Sequence, residues 1–307
     1  MTRPAGAVPK TSAAEWVRRQ ERGSVFLLRL MAVFSLTVGR RAGRVVLHAI
    51  AAYFFLFAPK ARRASRGYLQ RVLGRRPTAK DRFRHLMTFA TTIHDRVYLL
   101  NDRFELFDIT VEGEELMRAR WAAGDAAFLV GAHLGSFEVT RAIGRREPGL
   151  RVAMVAYEAN ARKINAMMAA INPALAGGTV GLGSAEAMLR VRALLDEGVF
   201  VGMLGDRTPG GEATQIVAFL GGAARFPIGP MRLAALLGRR VILMLGVYCG
   251  GNRYRVLFED IADFSGVEPQ ERQAAIREAV VRYAGRLEDH CREYPYNWFN
   301  FFDFWVE

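Results

Sequence analysis

The amino-acid sequence predicts an α/β fold in which a mostly parallel, mixed sheet is flanked by helices. From Phe104 onward, short apolar runs typical of buried strands alternate with helical patterns of about 10–15 residues. The chain has 307 residues, of which 51% are hydrophobic, so it can bury a large core. We expect this α/β domain over residues 61–307, behind a basic tail and a membrane-associated helical segment over residues 1–60.

The first 84 residues differ from the rest of the chain in charge. They contain nineteen Lys and Arg against three acidic residues, whereas the remainder holds 24 basic and 27 acidic side chains. The basic residues interleave with two apolar segments, Val25–Val38 and Val45–Ala58, which favours a membrane surface over nucleic acid as the partner. Arg29 and His48 interrupt these segments, so neither supplies the roughly 20 apolar residues of a spanning helix. We expect one inserted helix or two interfacial helices, with the α/β domain on the cytoplasmic face. The alternative is a pair of ordinary buried helices.

Two further helices precede the first strand. A basic helical stretch runs from Lys60 to Gly74 and stops near Pro77, because proline cannot continue a helix. Ala79–Leu100 predicts an amphipathic helix, since its apolar residues recur three and four positions apart. We assign its histidines, His85 and His94, to helix faces rather than to a site.

Strands and helices then alternate to the end of the chain. The apolar runs predict strands at Glu105–Val111, Ala127–Ala132, Val152–Tyr157, Val199–Leu204, Val241–Val247 and Arg253–Phe258. Helical periodicity predicts helices at Glu114–Ala123, Ser136–Ile143, Ala161–Ile171, Ser184–Leu195, Pro230–Leu237 and Pro269–Glu293. Because Gly250-Gly251-Asn252 joins the last two strands, we expect them to form an antiparallel hairpin at one edge of the sheet.

One stretch carries the pattern of a catalytic base. The apolar run Ala127–Ala132 ends at His133, Gly135 and Ser136 supply a turn and a helix N-cap, and Glu138 follows. A histidine at the carboxyl end of a strand lies where open α/β sheets bind their ligands. A carboxylate one turn into the next helix can fix the tautomer of the imidazole and raise the basicity of its other nitrogen. We therefore predict that His133 is a general base for a hydroxyl nucleophile and that Glu138 orients it. The alternative is a structural histidine.

The flanking segments resemble the lipid A late acyltransferase family, the lauroyl and myristoyl transferases within the wider H-x4-D/E acyltransferases. The resemblance rests on Val111–Leu116, Gly124–Glu138, Leu194–Arg207, Phe219–Pro230 and Tyr294–Trp305. It implies a glycerolphosphate-acyltransferase-like fold and a membrane-associated O-acyltransferase at the inner membrane. Such an enzyme moves a fatty acyl chain from acyl carrier protein, or from acyl-CoA, to a hydroxyl of a lipid or glycolipid acceptor. No metal or redox cofactor is expected. The alternatives are a phospholipid, phosphoglycerol or other specialised-lipid acyltransferase, and a non-catalytic membrane adaptor with the same fold.

The resemblance also implies residues that bind the substrates. Asp206 follows a strand and would face the histidine, where it would orient the acceptor or the polar network of the site. Arg207 could contact phosphate. The block Phe226–Pro230 would line the cleft, because Gly229 lets the backbone approach the substrate. The expected substrate-binding residues are Asp206, Arg207, Ser136, Arg225, Gly229 and Arg162.

One departure from the family pattern concerns the acceptor. The family usually carries a Tyr-Arg-Pro-like element after the strand that follows the motif. Here that strand ends in Val155–Asn160, and the nearest cations are Arg162 and Lys163. This leaves room for an acceptor other than phosphorylated lipid A, such as another glycolipid, an amino-acid lipid or a polyketide-like lipid.

The aromatic tail and the cysteines have simpler interpretations. Tyr294–Trp305 fits either a belt at the membrane interface or the packing of a final segment into the core. Cys249 and Cys291 are too few for a disulfide framework and lack the spacing of a metal site, which predicts two buried free thiols.

Overall fold

A mixed sheet forms the centre of the molecule in the computed structural model, which describes residues 25–140, 149–175, 177–207 and 212–306. The strands of these residues are β1 (Asp108–Glu112), β2 (Phe128–Gly131), β3 (Val152–Tyr157), β4 (Thr179–Leu182), β5 (Phe200–Leu204), β6 (Thr214–Phe219), β7 (Gly222–Pro227), β8 (Arg240–Gly250) and β9 (Arg253–Asp263). Seven of them pair in the order β1-β9-β8-β2-β5-β3-β4, and β6 and β7 form a separate antiparallel hairpin.

The pairing of the strands confirms the predicted mostly parallel, mixed sheet. β8 and β9 are antiparallel, and each other neighbouring pair of the seven strands is parallel. The β8–β9 hairpin was expected at the edge of the sheet, which is wrong, because β1 pairs in parallel with β9 and takes the edge position. The expectation also missed β4, which has only four residues, one of them glycine, and the β6–β7 hairpin, in which apolar residues are mixed with Thr214, Gln215 and Arg225.

Helices cover both faces of the sheet. The helices of the described residues are α1 (Val25–Val38), α2 (Arg40–Phe57), α3 (Pro59–Leu73), α4 (Ala79–Leu100), α5 (Glu114–Ala122), α6 (Glu158–Ile171), α7 (Ala185–Asp196), α8 (Gly229–Leu236) and α9 (Arg272–Glu293). Their bounds agree closely with the predicted helices. α4 begins where Thr78 and Asp81 form a capping box, and α7 begins after Ser184, whose hydroxyl accepts from the N–H of Ala187.

Two segments differ from the prediction. Phe104–Leu106 forms a 3₁₀ turn, so the first strand begins at Asp108 rather than at Glu105. The helix expected over Ser136–Ile143 begins instead as a 3₁₀ turn, Phe137–Thr140, and the remainder of that prediction lies outside the described residues.

The core is divided into two layers by the central strands. In β2, Phe128 and Val130 point into the layer formed with α3, α7, α8, α9 and the β6–β7 hairpin. Leu129 and the preceding Ala127 point into the other layer, with α4, α5 and α6. Each of these side chains is fully buried, because both faces of a parallel strand are covered by helices. This explains why β2 is a continuous apolar run rather than an alternating one.

The two N-terminal helices pack on the α/β domain by one face only. α2 lies against α4, where Gly43 contacts the ring of His94, and α1 lies against α6. Large apolar side chains of these two helices are exposed, among them Leu30, Val33, Phe34, Val45, Tyr53, Phe54, Leu56 and Phe57. Among the described residues no single helix is long and apolar enough to cross a bilayer. α2 and α3 together meet the length and composition but are bent by 94° at their junction.

Candidate active site

His133 and Asp206 meet at the carboxyl edge of the sheet. His133 follows β2 and Asp206 follows β5, and these two strands are parallel neighbours, so their carboxyl ends lie side by side. Nδ1 of His133 lies 2.8 Å from Oδ1 of Asp206, and the backbone N–H of His133 donates to Oδ2 of Asp206 at 3.0 Å. The Asp206 side chain is fully buried, whereas 29% of the His133 side chain is exposed. The histidine is therefore the member of the pair that a substrate can reach.

Asp206 is surrounded by hydrogen-bond donors. Besides the two bonds from His133, Oδ2 accepts from Nε1 of Trp298 at 3.1 Å and from Nδ2 of Asn300 at 2.9 Å. Burial opposes the ionisation of Asp206. Its interactions with His133 and Arg207 outweigh that effect and hold the pKa of the carboxyl well below its usual range. An ionised carboxylate only accepts hydrogen bonds, so Nδ1 of His133 must carry a proton and donate a hydrogen bond to Asp206.

The tautomer of His133 follows from this hydrogen bond. With the proton on Nδ1, the neutral ring has its lone pair on Nε2, as in a general base. The pKa of His133 is lowered, first by burial and then by the positive charge of Arg207, whereas Asp206 acts in the opposite direction. The net effect keeps the imidazole neutral near pH 7, which is the form that can accept a proton from a hydroxyl.

Glu138 does not make the contact that the sequence predicted for it. We expected Glu138 to orient His133, but Asp206 occupies Nδ1. The carboxylate of Glu138 instead lies 2.7 Å from Nε of Arg96 and accepts a hydrogen bond from the hydroxyl of Ser136 at 3.0 Å. The physical reason is local, because the chain continues from Ser136 into a 3₁₀ turn rather than the α-helix on which the expected spacing was based.

The loop between His133 and Glu138 lies directly on β8. Gly135 has a left-handed backbone with φ of 75°, and a Cβ there would lie 2.0 Å from the carbonyl oxygen of Gly246. The N–H of Ser136 donates to that same oxygen at 2.7 Å. A Cβ on Gly246 would lie 2.3 Å from the carbonyl oxygen of Ser136 and from Cγ1 of Val139. Two glycines therefore permit the close approach that fixes the loop. The Ser136 side chain is buried beneath it.

The C-terminal segment completes the site. The N–H of Phe299 donates to the carbonyl of His133, and that of Gly135 to Asn297, both at 2.8 Å. This segment also supplies Trp298 and Asn300, which donate to Asp206 and are almost fully buried. The sequence interpretation missed these two residues as parts of the site. Two asparagines inside an aromatic run are a usable signal, because a buried amide needs a polar partner.

The aromatic tail packs in the interior. Trp298 is fully buried and packs edge-to-face against Phe304 and Phe219 and at a tilt against Tyr68, at centroid distances of 4.7–5.3 Å. Of the two interpretations of the tail, core packing is therefore the one that describes Trp298 and its neighbours.

Arg207 is held within the protein beside the pair. Its Nε donates to Oδ1 of Asn300 at 2.5 Å and its Nη2 to the carbonyl of Phe299 at 3.0 Å, and its guanidinium lies 5.7 Å from the ring centroid of Phe302. These contacts place its positive charge near His133 and Asp206. The other expected cations lie on different elements. Arg225 is in β7 and partly exposed, and Arg162 is in α6 and exposed.

A cavity of about 340 Å³ opens beyond the ends of β3 and β5. Its apolar lining residues are Leu182, Met188, Met203, Ala213, Ile228, Leu233 and Leu236. Gly229 also lines it, at the start of α8 as expected, and a Cβ there would lie 2.9 Å from Oη of Tyr157. That hydroxyl donates to Glu212 at 2.5 Å. Met203 belongs to β5, the strand that Asp206 follows, so one wall of the cavity is formed by that strand.

Comparison with known proteins gives one family. The model of the family described as bacterial lipid A biosynthesis acyltransferase matches residues 16–305. The match therefore includes the N-terminal helices as well as the α/β domain. No curated protein matches the chain.

Proposed function

The chain belongs to the bacterial lipid A biosynthesis acyltransferase family, and from that premise we propose that it transfers a fatty acyl group from a thioester to a hydroxyl of a lipid or glycolipid acceptor. The single observation that carries this proposal is the buried Asp206 carboxylate on Nδ1 of His133. It leaves Nε2 as the basic nitrogen at the exposed side of the pair.

The transfer requires one base and two proton movements. Nε2 of His133 removes the proton from the acceptor hydroxyl, and the hydroxyl oxygen attacks the thioester carbonyl. The resulting tetrahedral oxyanion collapses to the ester and expels the thiolate, which takes the proton from the His133 imidazolium. Asp206 stabilises that imidazolium and holds the ring in one orientation, and this is the arrangement that serves hydroxyl nucleophiles in other enzymes.

The cavity and the charge of the chain suggest where the two substrates bind. The apolar walls of the cavity, from Leu182 and Met188 to Leu233, suit the acyl chain, because ligand sites are mostly apolar with a few fixed polar groups. We propose acyl carrier protein as the donor, since its acidic surface complements the basic N-terminal residues, with acyl-CoA as the other thioester. Arg207, Arg225 and Arg162 remain candidates for contacts with the acceptor.

The exposed apolar faces of α1 and α2 support attachment to a membrane. Phe54 and Phe57 are 45% and 67% exposed, and the arginines of the same region can lie at the level of the lipid phosphates. We propose that these faces enter the cytoplasmic leaflet of the inner membrane and hold the site at the lipid surface, where an amphipathic acceptor is concentrated.

Substitution of His133 tests the proposal. Membranes from cells that express His133→Ala should transfer acyl groups from a radiolabelled acyl carrier protein thioester roughly 10²–10⁴-fold more slowly, the usual effect of a general base. The matched control is His48→Ala, because His48 is exposed on α2 and its Nδ1 lies 2.9 Å from the Arg44 carbonyl of the same helix. Near wild-type transfer by His133→Ala, with the product ester identified by mass spectrometry, would show that His133 is not the base.

A further inference from the structure

Arg96 extends from α4 to the segment after His133. Its Nε lies 2.7 Å from Oε1 of Glu138, and its Nη1 contacts Sδ of Met167 in α6 at 3.3 Å. Of the two paired side chains, 22% of Arg96 and 14% of Glu138 is exposed. The pair is therefore partly shielded from water, where an ion pair holds its geometry better than on an open surface.

The backbone beside Arg96 is fixed on both sides. The preceding Asp95 is fully buried. Its carboxylate accepts hydrogen bonds from Nε and Nη2 of Arg40, each at 2.7 Å, and from the hydroxyl of Tyr254 at 2.8 Å. The following Val97 is fully buried in the core. This part of α4 is thus held between α2 and β9, and Arg96 extends from a rigid support towards Glu138.

The charge of Arg96 also acts on the base. Arg96 is among the groups that lower the pKa of His133, after burial and Arg207, so its guanidinium lies within electrostatic range of the imidazole. Glu138 accepts one further bond, from the Ser136 hydroxyl. A Glu138 carboxylate without its cation would favour the protonated imidazole, and that form cannot act as a base.

We propose that Arg96 is a positioning residue of the acyl transfer, which holds the Glu138 carboxylate, and with it the turn at Ser136, in place behind His133. This inference rests on the proposed function of His133. It gives Glu138 a place in the site that differs from orientation of the imidazole, since Asp206 performs that task. It also assigns a positive group to the site on α4, outside the segments in which the sequence suggested one.

The pH dependence of kcat/KM distinguishes this role from a structural one. Loss of the positive charge in Arg96→Gln should raise the pKa of His133, so the acid limb of the profile should move to higher pH. Activity at neutral pH should fall roughly 10–100-fold, the usual effect of removing a residue that orients a functional group. Arg96→Lys keeps the charge and should keep the acid limb near that of the wild type.

A double-mutant cycle tests whether Arg96 acts through Glu138. If it does, Arg96→Gln combined with Glu138→Gln should lose little more than the worse single variant, because both changes break the same pair. Arg103→Gln is the matched control. Arg103 also makes an ion pair at 2.7 Å, with Glu105, but both side chains are more than half exposed. This control should leave the profile unchanged.

Three results would overturn the inference. They are an unchanged acid limb in Arg96→Gln, a shifted limb in Arg96→Lys, and effects of Arg96→Gln and Glu138→Gln that simply multiply in the double variant. Arg96→Lys and Glu138→Gln still decide the matter if Arg96→Gln fails to fold. If His133→Ala is inactive while the Arg96 variants behave like the wild type, only this inference fails. If His133→Ala is itself fully active, the proposed function fails.

Discussion

Replacement of Asp206 by asparagine tests the central pair with almost no change of shape. In the wild type, Oδ1 accepts from Nδ1 of His133, and Oδ2 accepts from the N–H of His133, from Trp298 and from Asn300. The new amide has one oxygen and one NH₂ group, and the NH₂ group cannot accept. It must therefore replace either the oxygen that faces one donor or the oxygen that faces three.

The number of donors decides the orientation of the amide. An NH₂ group in the place of Oδ2 would leave three buried donors without an acceptor, at about 1–3 kcal/mol each. In the place of Oδ1 it would face only Nδ1 of His133, and the ring can respond by moving its proton to Nε2. We expect this second orientation. Because Nε2 then carries a proton, His133 cannot act as a base, and kcat should fall by about 10³–10⁴-fold, as in other enzymes with this arrangement.

Stability should also fall, by roughly 2–4 kcal/mol, since hydrogen bonds to a charged acceptor become bonds to a neutral one. Steady-state kinetics of acyl transfer and urea denaturation of the same preparations measure both effects. Asp125→Asn is the matched control, because Asp125 is 45% exposed and pairs with Arg120 on the surface. A kcat for Asp206→Asn within about threefold of the wild type would refute the tautomer argument.

Three further predictions concern stability and membrane binding. Burial lowers the pKa of His85 to about 4, whereas an unfolded histidine titrates near about 6.5, so the unfolded chain binds more protons between these values. The contribution of neutral His85 to the free energy of unfolding should be fully present above about pH 6.5 and decrease by about 3 kcal/mol towards pH 4. Urea denaturation at several pH values measures this free energy. An equal dependence on pH in the wild type and in His85→Asn would contradict the prediction. Gly246→Ala should lower stability by about 1–3 kcal/mol in thermal melts and displace the His133 loop, because the new Cβ meets the Ser136 carbonyl. Gly67→Ala is its control, since a Cβ at Gly67 meets nothing within 4 Å, and equal melting temperatures for the two variants would be the opposing result. In flotation assays, binding of the protein to anionic vesicles should survive about 1 M salt, because insertion of apolar side chains is not screened. Phe57→Glu should weaken this binding, since Phe57 is exposed. Complete release by salt would instead indicate purely electrostatic binding.

The local sequence was sufficient for most of the secondary structure. Helix α4 has the predicted bounds because its apolar spacing and its Thr78–Asp81 cap are both properties of neighbouring residues. Strand β2 was identified for the same reason, since a short, fully apolar run bounded by glycine is typical of a strand buried on both faces. The position of His133 at the end of that strand then followed directly. Short segments with weak local patterns, such as β4, were missed.

The partner of His133 could not be derived from the sequence around it. Glu138 is five residues away and Asp206 is 73 residues away, yet Asp206 makes the hydrogen bond. Which carboxylate meets the imidazole depends on β2 and β5 being neighbours in the sheet, and on the 3₁₀ turn that carries Glu138 to Arg96. The role of α4 in the site depends in the same way on how the helix packs.

The contribution of the C-terminal tail depended even more on tertiary structure. Trp298 and Asn300 lie more than 90 residues after Asp206 and donate to it only because the tail runs beside the His133 loop. Sequence patterns report the preferences of residues a few positions apart, and they determined most of the helices and strands, the position of His133 at the end of β2 and the family resemblance of this protein. The hydrogen bonds that give His133 its tautomer join strands and segments distant in the chain, so only the packing of the sheet, the loop and the tail decided them.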